Sequence, residues 1–143
     1  MALPRWFSPA ALVLVIVGGA VGVALRALVV VSLTAGTHPL VVPALTLVIN
    51  VVGSLLLGVI VGVLDDRRPL LRLFLGTGMM GGFTTYSAFA VHVVTTSSAA
   101  PVVGLGLIAL SVLGGVVAAT AGLMLGRRLA GRPEAAEPPE DAE

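Results

Sequence analysis

Between Gly78 and His92 the chain reads Gly78-Met79-Met80-Gly81-Gly82-Phe83-Thr84-Thr85-Tyr86-Ser87-Ala88-Phe89-Ala90-Val91-His92, a glycine pair, hydroxyls and aromatics inside one long apolar run. Gly81-Gly82 ahead of Thr84-Thr85 is poor helix material, because glycine loses the most backbone entropy on ordering and threonine hydroxyls compete for backbone groups. The pattern predicts a break in a helix. Broken helices at membrane depth expose carbonyl oxygens suited to a small hard cation and N–H groups suited to an anion. Tyr86 and Phe89 lie three apart on one helical face, and Thr85, Ala88 and His92 share a neighbouring one. Periodicity alone assigns such an aromatic pair to packing or lipid contact; nearness to the break makes it a candidate lining of an ion site.

Two further polar residues interrupt apolar stretches. Asn50 offers an amide that lipid cannot satisfy, so it either joins helices or faces a pore. Arg26 can snorkel to the interface, which is the default for a long cationic side chain, or supply positive potential near an anion path, or pair with a backbone carbonyl. Gly18, Gly22, Gly53, Gly58, Gly114, Gly115 and Gly122 are read as close helix packing.

The elements that must position these residues are membrane helices. Of 143 residues, 57% are hydrophobic and 10% charged, with a mean hydropathy of +1.11. At about 20 residues per span there is room for four helices and no separate soluble domain. We expect an all-α membrane protein with helices over about 10–33, 44–64, 71–95 and 102–125, the third of them broken, forming one transmembrane domain over 1–130. A turn is expected over Thr34–Pro39 and at Pro43, and 131–143, rich in Pro, Ala and Glu, reads as a disordered tail. A signal peptide is disfavoured, because the first apolar run is long, contains Arg26 and is followed by more membrane segments. There is no cysteine, which removes disulfides and thiolate metal sites.

The chain has no lysine, and seven of its eight arginines fall in three places: Arg5; Arg67, Arg68 and Arg72; and Arg127, Arg128 and Arg132. With four spans these lie on one side, and the opposite loops, 34–43 and 96–101, carry none. The positive-inside rule then places both termini in the cytoplasm.

The residues carry a family resemblance. Gly18-Gly19-Ala20-Val21-Gly22 through Arg26, Thr46-Leu47-Val48-Ile49-Asn50-Val51-Val52-Gly53, and above all Gly81-Gly82-Phe83-Thr84-Thr85-Tyr86-Ser87-Ala88-Phe89 resemble the Fluc (CrcB-type) family of small bacterial fluoride channels. The resemblance implies an antiparallel dimer of four-helix subunits in the bacterial plasma membrane, with two fluoride pores and a central structural sodium ion. It assigns the sodium to the backbone carbonyls of Gly81 and Thr84, and the pore lining to Asn50, Tyr86, Ser87, Phe89 and Ser111. Aromatic edges are positive and can face an anion, while amide and hydroxyl donors replace its water. The implied role is passive export of fluoride trapped in the cytoplasm, and no enzymatic activity.

The chain also departs from the family pattern. Tyr86 stands for phenylalanine, Ala88 for threonine and His92 for a commonly acidic residue, and Leu107, Gly115 and Ala119 are apolar along the Ser111 side of helix 4. Arg26 and His92 are candidates for an electrostatic or gating role, and His92 has a charge that can change near neutral pH. The arginine bias disfavours insertion in both orientations, so we expect a partner subunit of opposite topology, a homodimer being the other arrangement. Two rival classes are a non-conducting membrane subunit and a small multidrug-type transporter. The transporter would want an embedded carboxylate, yet every Asp and Glu lies at 65–66 or in the tail.

Overall fold

The computed structural model describes residues 8–34, 41–65 and 67–131. Arg5, Arg132, most of the loop expected over 34–43 and nearly all of the expected tail lie outside the described residues. Those described are helical almost throughout: α1 (Pro9–Thr34), α2 (Val41–Leu64), α3 (Pro69–Arg72), a π-helical stretch (Leu73–Met80), α4 (Gly81–Phe83), α5 (Tyr86–Ala99) and α6 (Pro101–Leu129). The 26, 24 and 29 residues of α1, α2 and α6 are long and apolar enough to cross a membrane. The fourth apolar stretch, Pro69 to Ala99, is continuous through α3, the π turn and α4, then breaks at Thr84 and Thr85 before α5.

Some boundaries differ from those expected, for identifiable reasons. Pro43 sits inside the first turn of α2 instead of ahead of it; a first-turn residue has no intrahelical acceptor, so proline costs nothing there. α6 carries on past Leu125 through Arg127 and Arg128, whose cations suit a helix C-terminus. The π turn is unforeseen. It holds Gly76 and Gly78, both buried, and widens the helix just ahead of the break.

Lipid gives apolar helices no reason to prefer each other over acyl chains, so association depends on close backbone approach at small residues. Two glycine pairs spaced by four meet in each of two helix contacts. Gly18 and Gly22 of α1 face Gly78 and Gly82: a Cβ at Gly22 would strike the Met79 carbonyl, and one at Gly82 the Gly19 carbonyl. Gly58 and Gly62 of α2 face Gly122 and Gly126 of α6, where a Cβ at Gly58 would meet the Ala119 carbonyl and one at Gly122 the Leu55 carbonyl.

These contacts also fix direction. Residue numbers rise together in α1 and the stretch from Phe74 to Phe83, and again in α2 and α6, so each pair is parallel. Across the pairs, Leu57 lies near Gly76 and Gly53 near Phe83 and Thr84, so α2 runs against the broken stretch. Successive elements thus alternate in direction. Between the pairs lies a small core that includes Ile49 and Met80, while large apolar side chains such as Leu28, Val31, Leu105 and Val117 point outward.

Candidate functional site

The break is built by side chains that take over backbone hydrogen bonds. At Thr84 (φ −75°, ψ 160°) and Thr85 (φ −146°, ψ 117°) the chain is extended. The Thr84 hydroxyl donates to the Met80 carbonyl at 2.9 Å beside its own N–H at 3.0 Å, closing the preceding helix. The Thr85 hydroxyl accepts from the Ala88 N–H at 3.3 Å, which caps α5. From α2, Asn50 pairs with Thr85 twice: its Nδ2 donates to the Thr85 carbonyl at 3.0 Å, and its Oδ1 accepts from the Thr85 N–H at 2.8 Å. From α1, the Arg26 Nε donates to the Gly82 carbonyl at 3.3 Å. Of the alternatives open to Arg26, it takes the carbonyl pairing and not the snorkelling expected by default.

Among the carbonyls that lose their helical donors at the break are those of Gly81 and Thr84. In an unbroken helix Gly81 would accept from the Thr85 N–H and Thr84 from the Ala88 N–H; both donors are instead engaged by Asn50 Oδ1 and Thr85 Oγ1. Gly81 and Thr84 both line a cleft of about 580 Å³ beside the break. The two glycines divide the work: a Cβ on Gly81 would meet nothing within 4 Å, whereas Gly82 is packed on Gly19.

The cleft gathers residues from three elements. α2 contributes Asn50 and Ser54, the broken stretch Thr77, Tyr86 and Phe89, and α6 Ser111. The Tyr86 and Phe89 rings are tilted by 52° with centroids 6.2 Å apart, an ordinary aromatic pairing, and Tyr86 remains 81% exposed on the outer face. Ser54, Thr77 and Ser111 make no hydrogen bond among the described residues. Elsewhere Thr46, Thr95, Ser98 and Thr120 return their hydroxyl protons to carbonyls three or four residues back. Ser54 and Thr77 were not foreseen, although Ser54 stands one helical turn beyond Asn50 and so shares its face.

A second, smaller cavity of about 10 Å³ continues from the first, with Phe89 and Ser111 in the walls of both. Its other lining includes Thr46, Leu107 and His92. Of the expected pore residues, Asn50, Tyr86, Phe89 and Ser111 are thus brought together. Ser87 lines neither of these two cavities; it is exposed, with its hydroxyl 3.3 Å from that of Thr85. Ala119 abuts Gly58 through its backbone, and Gly115 lies beside Ser54, so the apolar side of α6 at these positions is a packing surface against α2.

Alternating apolar helices, a break clamped from two neighbours and a donor-lined cleft define a multi-pass helical membrane protein with a polar site inside the bundle. Residues 13–123 match the family described as CrcB-like protein, Camphor Resistance (CrcB), and the chain belongs to that family. It is 41% identical over 119 residues to "Fluoride-specific ion channel FluC 2" of Bacillus subtilis, covering 82% of this chain and 88% of the relative. To "Fluoride-specific ion channel FluC" of Hyphomonas neptunium it is 43% identical over 122 residues, 81% of this chain and 94% of the relative. To "Fluoride-specific ion channel FluC 2" of Leifsonia xyli it is 50% identical over 86 residues, 56% and 57% of the two chains. The family is one of ion channels, not of enzymes.

Proposed function

We propose that this chain is a subunit of a fluoride channel that lowers cytoplasmic fluoride by passive export. The observation that carries the reading is the donor chemistry of the cleft: the hydroxyls of Ser54, Thr77 and Ser111 have no partner among the described residues, and no carboxylate stands with them. Such donors can replace the water of a small anion, with no negative side chain beside them to repel it. The Tyr86–Phe89 pair adds positive ring edges. Two relatives that match most of their length carry the name of a fluoride-specific channel.

The subunit is read as crossing the membrane four times, with both termini in the cytoplasm, and as pairing with an antiparallel partner. The parallel relation within each helix pair supports four crossings. The one-sided arginines favour a partner of reversed bias over a second copy of this chain, and the name FluC 2 borne by two relatives is consistent with paired genes. The exposed Tyr86 and the open side of the cleft would then meet that partner. Sodium is read as the structural ion of the dimer centre. The carbonyls of Gly81 and Thr84, deprived of helical donors, are hard oxygen ligands of the right class; one subunit offers two, and a partner would supply the rest.

The test is fluoride efflux from liposomes, with chloride as control and Phe89→Ile to remove the ring that stands between the two cavities. Selective efflux from the chain alone, lost in Phe89→Ile, establishes a channel and removes the need for a distinct partner. Efflux only on co-reconstitution with an oppositely oriented relative establishes the paired form. Absence of efflux in both settings overturns the channel reading in favour of a non-conducting subunit.

A further inference from the structure

The two cavities are stacked along the bundle. Along α2 the lining passes from Leu57 through Asn50 to Thr46 and Pro43; along the broken stretch it passes from Gly76 through Phe89 to His92. The order on α6, from Ser111 to Leu107, agrees. The small cavity therefore lies toward the end of the bundle that lacks arginines, with Phe89 and Ser111 standing between it and the break.

Its size and chemistry are specific. About 10 Å³ is the threshold for one water-sized occupant, so whatever enters has shed its hydration shell. The Thr46 hydroxyl cannot donate inward, because its proton goes to the Val42 carbonyl at 3.0 Å. His92 and Ser111 remain. Neither side chain has a hydrogen-bond partner among the described residues, and the carbonyl of His92, not its ring, accepts from Thr95.

We propose that His92 makes this chamber a proton-sensitive anion subsite: with the Ser111 hydroxyl it holds one desolvated, water-sized monovalent anion, and protonation of the imidazole strengthens that hold. The proposal rests on the channel reading above and adds a regulated step to it. A neutral imidazole offers one N–H donor, and the imidazolium offers two and a full charge. Among the described residues of the elements that line the chamber no other charge stands nearby, and Arg26 of α1 is engaged on the Gly82 carbonyl at the break. α2 carries no titratable residue, α5 carries only Tyr86 besides His92, and the arginines of α6, Arg127 and Arg128, lie at its far end. An acidic residue here would repel the ion that His92 attracts, so this chain would load its outer subsite best when that face of the membrane is acidified.

Two measurements test this. In the first, the ¹⁵N shifts of the His92 ring are followed through a pH titration in lipid nanodiscs, with and without fluoride. Linkage requires that an anion binding the imidazolium more tightly raise the titration midpoint; a rise with fluoride, absent with equal chloride and reduced in Ser111→Ala, supports the proposal. A midpoint indifferent to fluoride overturns it, whether or not the protein conducts. The second is the ratio of fluoride flux at pH 5.5 to that at pH 7.5, corrected with Phe89→Ile for leak of neutral acid. If protonation of His92 strengthens the hold, the ratio should differ from one by at least about threefold and flatten to within about twofold in His92→Gln. Equal ratios in both proteins refute the regulated step and leave the channel reading intact, whereas absence of flux at every pH, both alone and on co-reconstitution with an oppositely oriented relative, refutes the channel reading and leaves the ring titration to decide the subsite.

Discussion

Replacing Asn50 with alanine removes both hydrogen bonds that join α2 to the break, the 2.8 Å bond from the Thr85 N–H and the 3.0 Å bond to the Thr85 carbonyl. Each backbone group left without a partner costs about 1–3 kcal/mol. Asn50 is half-buried and lines the cleft, so water can reach part of what is exposed; the lower part of the sum, about 2–3 kcal/mol, is the expected penalty. At about 1.4 kcal/mol per tenfold, the equilibrium between held and opened break moves by roughly 30- to 150-fold. Residue-resolved hydrogen exchange in nanodiscs reads this directly, because the Thr85 N–H is the donor concerned. Exchange at Thr85 should accelerate by that factor in Asn50→Ala. Ser54→Ala, one turn away on the same cleft and without a bond to the break, should leave it unchanged. If Thr85 exchange in Asn50→Ala stays within about threefold of the parent, the amide does not hold the break, and the account of how the Gly81 carbonyl is released fails with it.

The other predictions concern the frame. Gly22→Ala places a Cβ on the Met79 carbonyl and should destabilise the protein by about 1–3 kcal/mol, whereas Gly106→Ala, with open space around it, should be neutral or gain up to about 1 kcal/mol; denaturant unfolding in detergent micelles compares the two. Arg26→Gln shortens the reach to the Gly82 carbonyl and should lower stability by about 1–3 kcal/mol, with faster exchange confined to Gly81–Tyr86. An Arg26→Gln effect spread evenly over α1 would instead indicate lost packing.

The location of the break is legible in the sequence, because two glycines and two threonines within five positions oppose a helix through independent mechanisms. What each residue does there is less legible. Gly81 and Gly82 look equivalent as letters, yet one opens onto the cleft and the other is a packing contact, a difference set by where α1 lies. Asn50, open between joining helices and facing a pore, joins helices through two bonds to Thr85 and also lines the cleft beside the break. The π turn is invisible from composition, since Leu73–Met80 reads like any apolar run. The packing glycines could have been found in full. Gly62, Gly78 and Gly126 complete the spacing of four begun by Gly58, Gly82 and Gly122, and each spacing pairs with its counterpart on a neighbouring helix. The role of Arg26 is the least legible in the sequence. Its acceptor lies 56 residues away and exists only because the helix ends at Phe83.

The two glycine-stapled pairs explain why a site can persist at a helix break. A break alone is a hinge, since Thr84 keeps only its donation to Met80 and Thr85 has lost the backbone ladder that would stiffen it. Here one neighbour from each pair reaches it, Arg26 from α1 onto Gly82 and Asn50 from α2 onto Thr85, so the break is clamped on both sides of the extended residues. Selecting a small, strongly hydrated ion requires donors held in place beforehand, because flexible ones relax around a larger competitor as readily. The Asn50 clamp frees the Gly81 carbonyl and holds Thr85, whose hydroxyl frees the Thr84 carbonyl and caps the first turn of α5, and with it fixes the positions from which Tyr86, Phe89 and His92 project. If the chain conducts fluoride as proposed, loosening either clamp should weaken discrimination between fluoride and chloride in liposome efflux before it abolishes flux, since passage needs only an opening while discrimination needs its geometry.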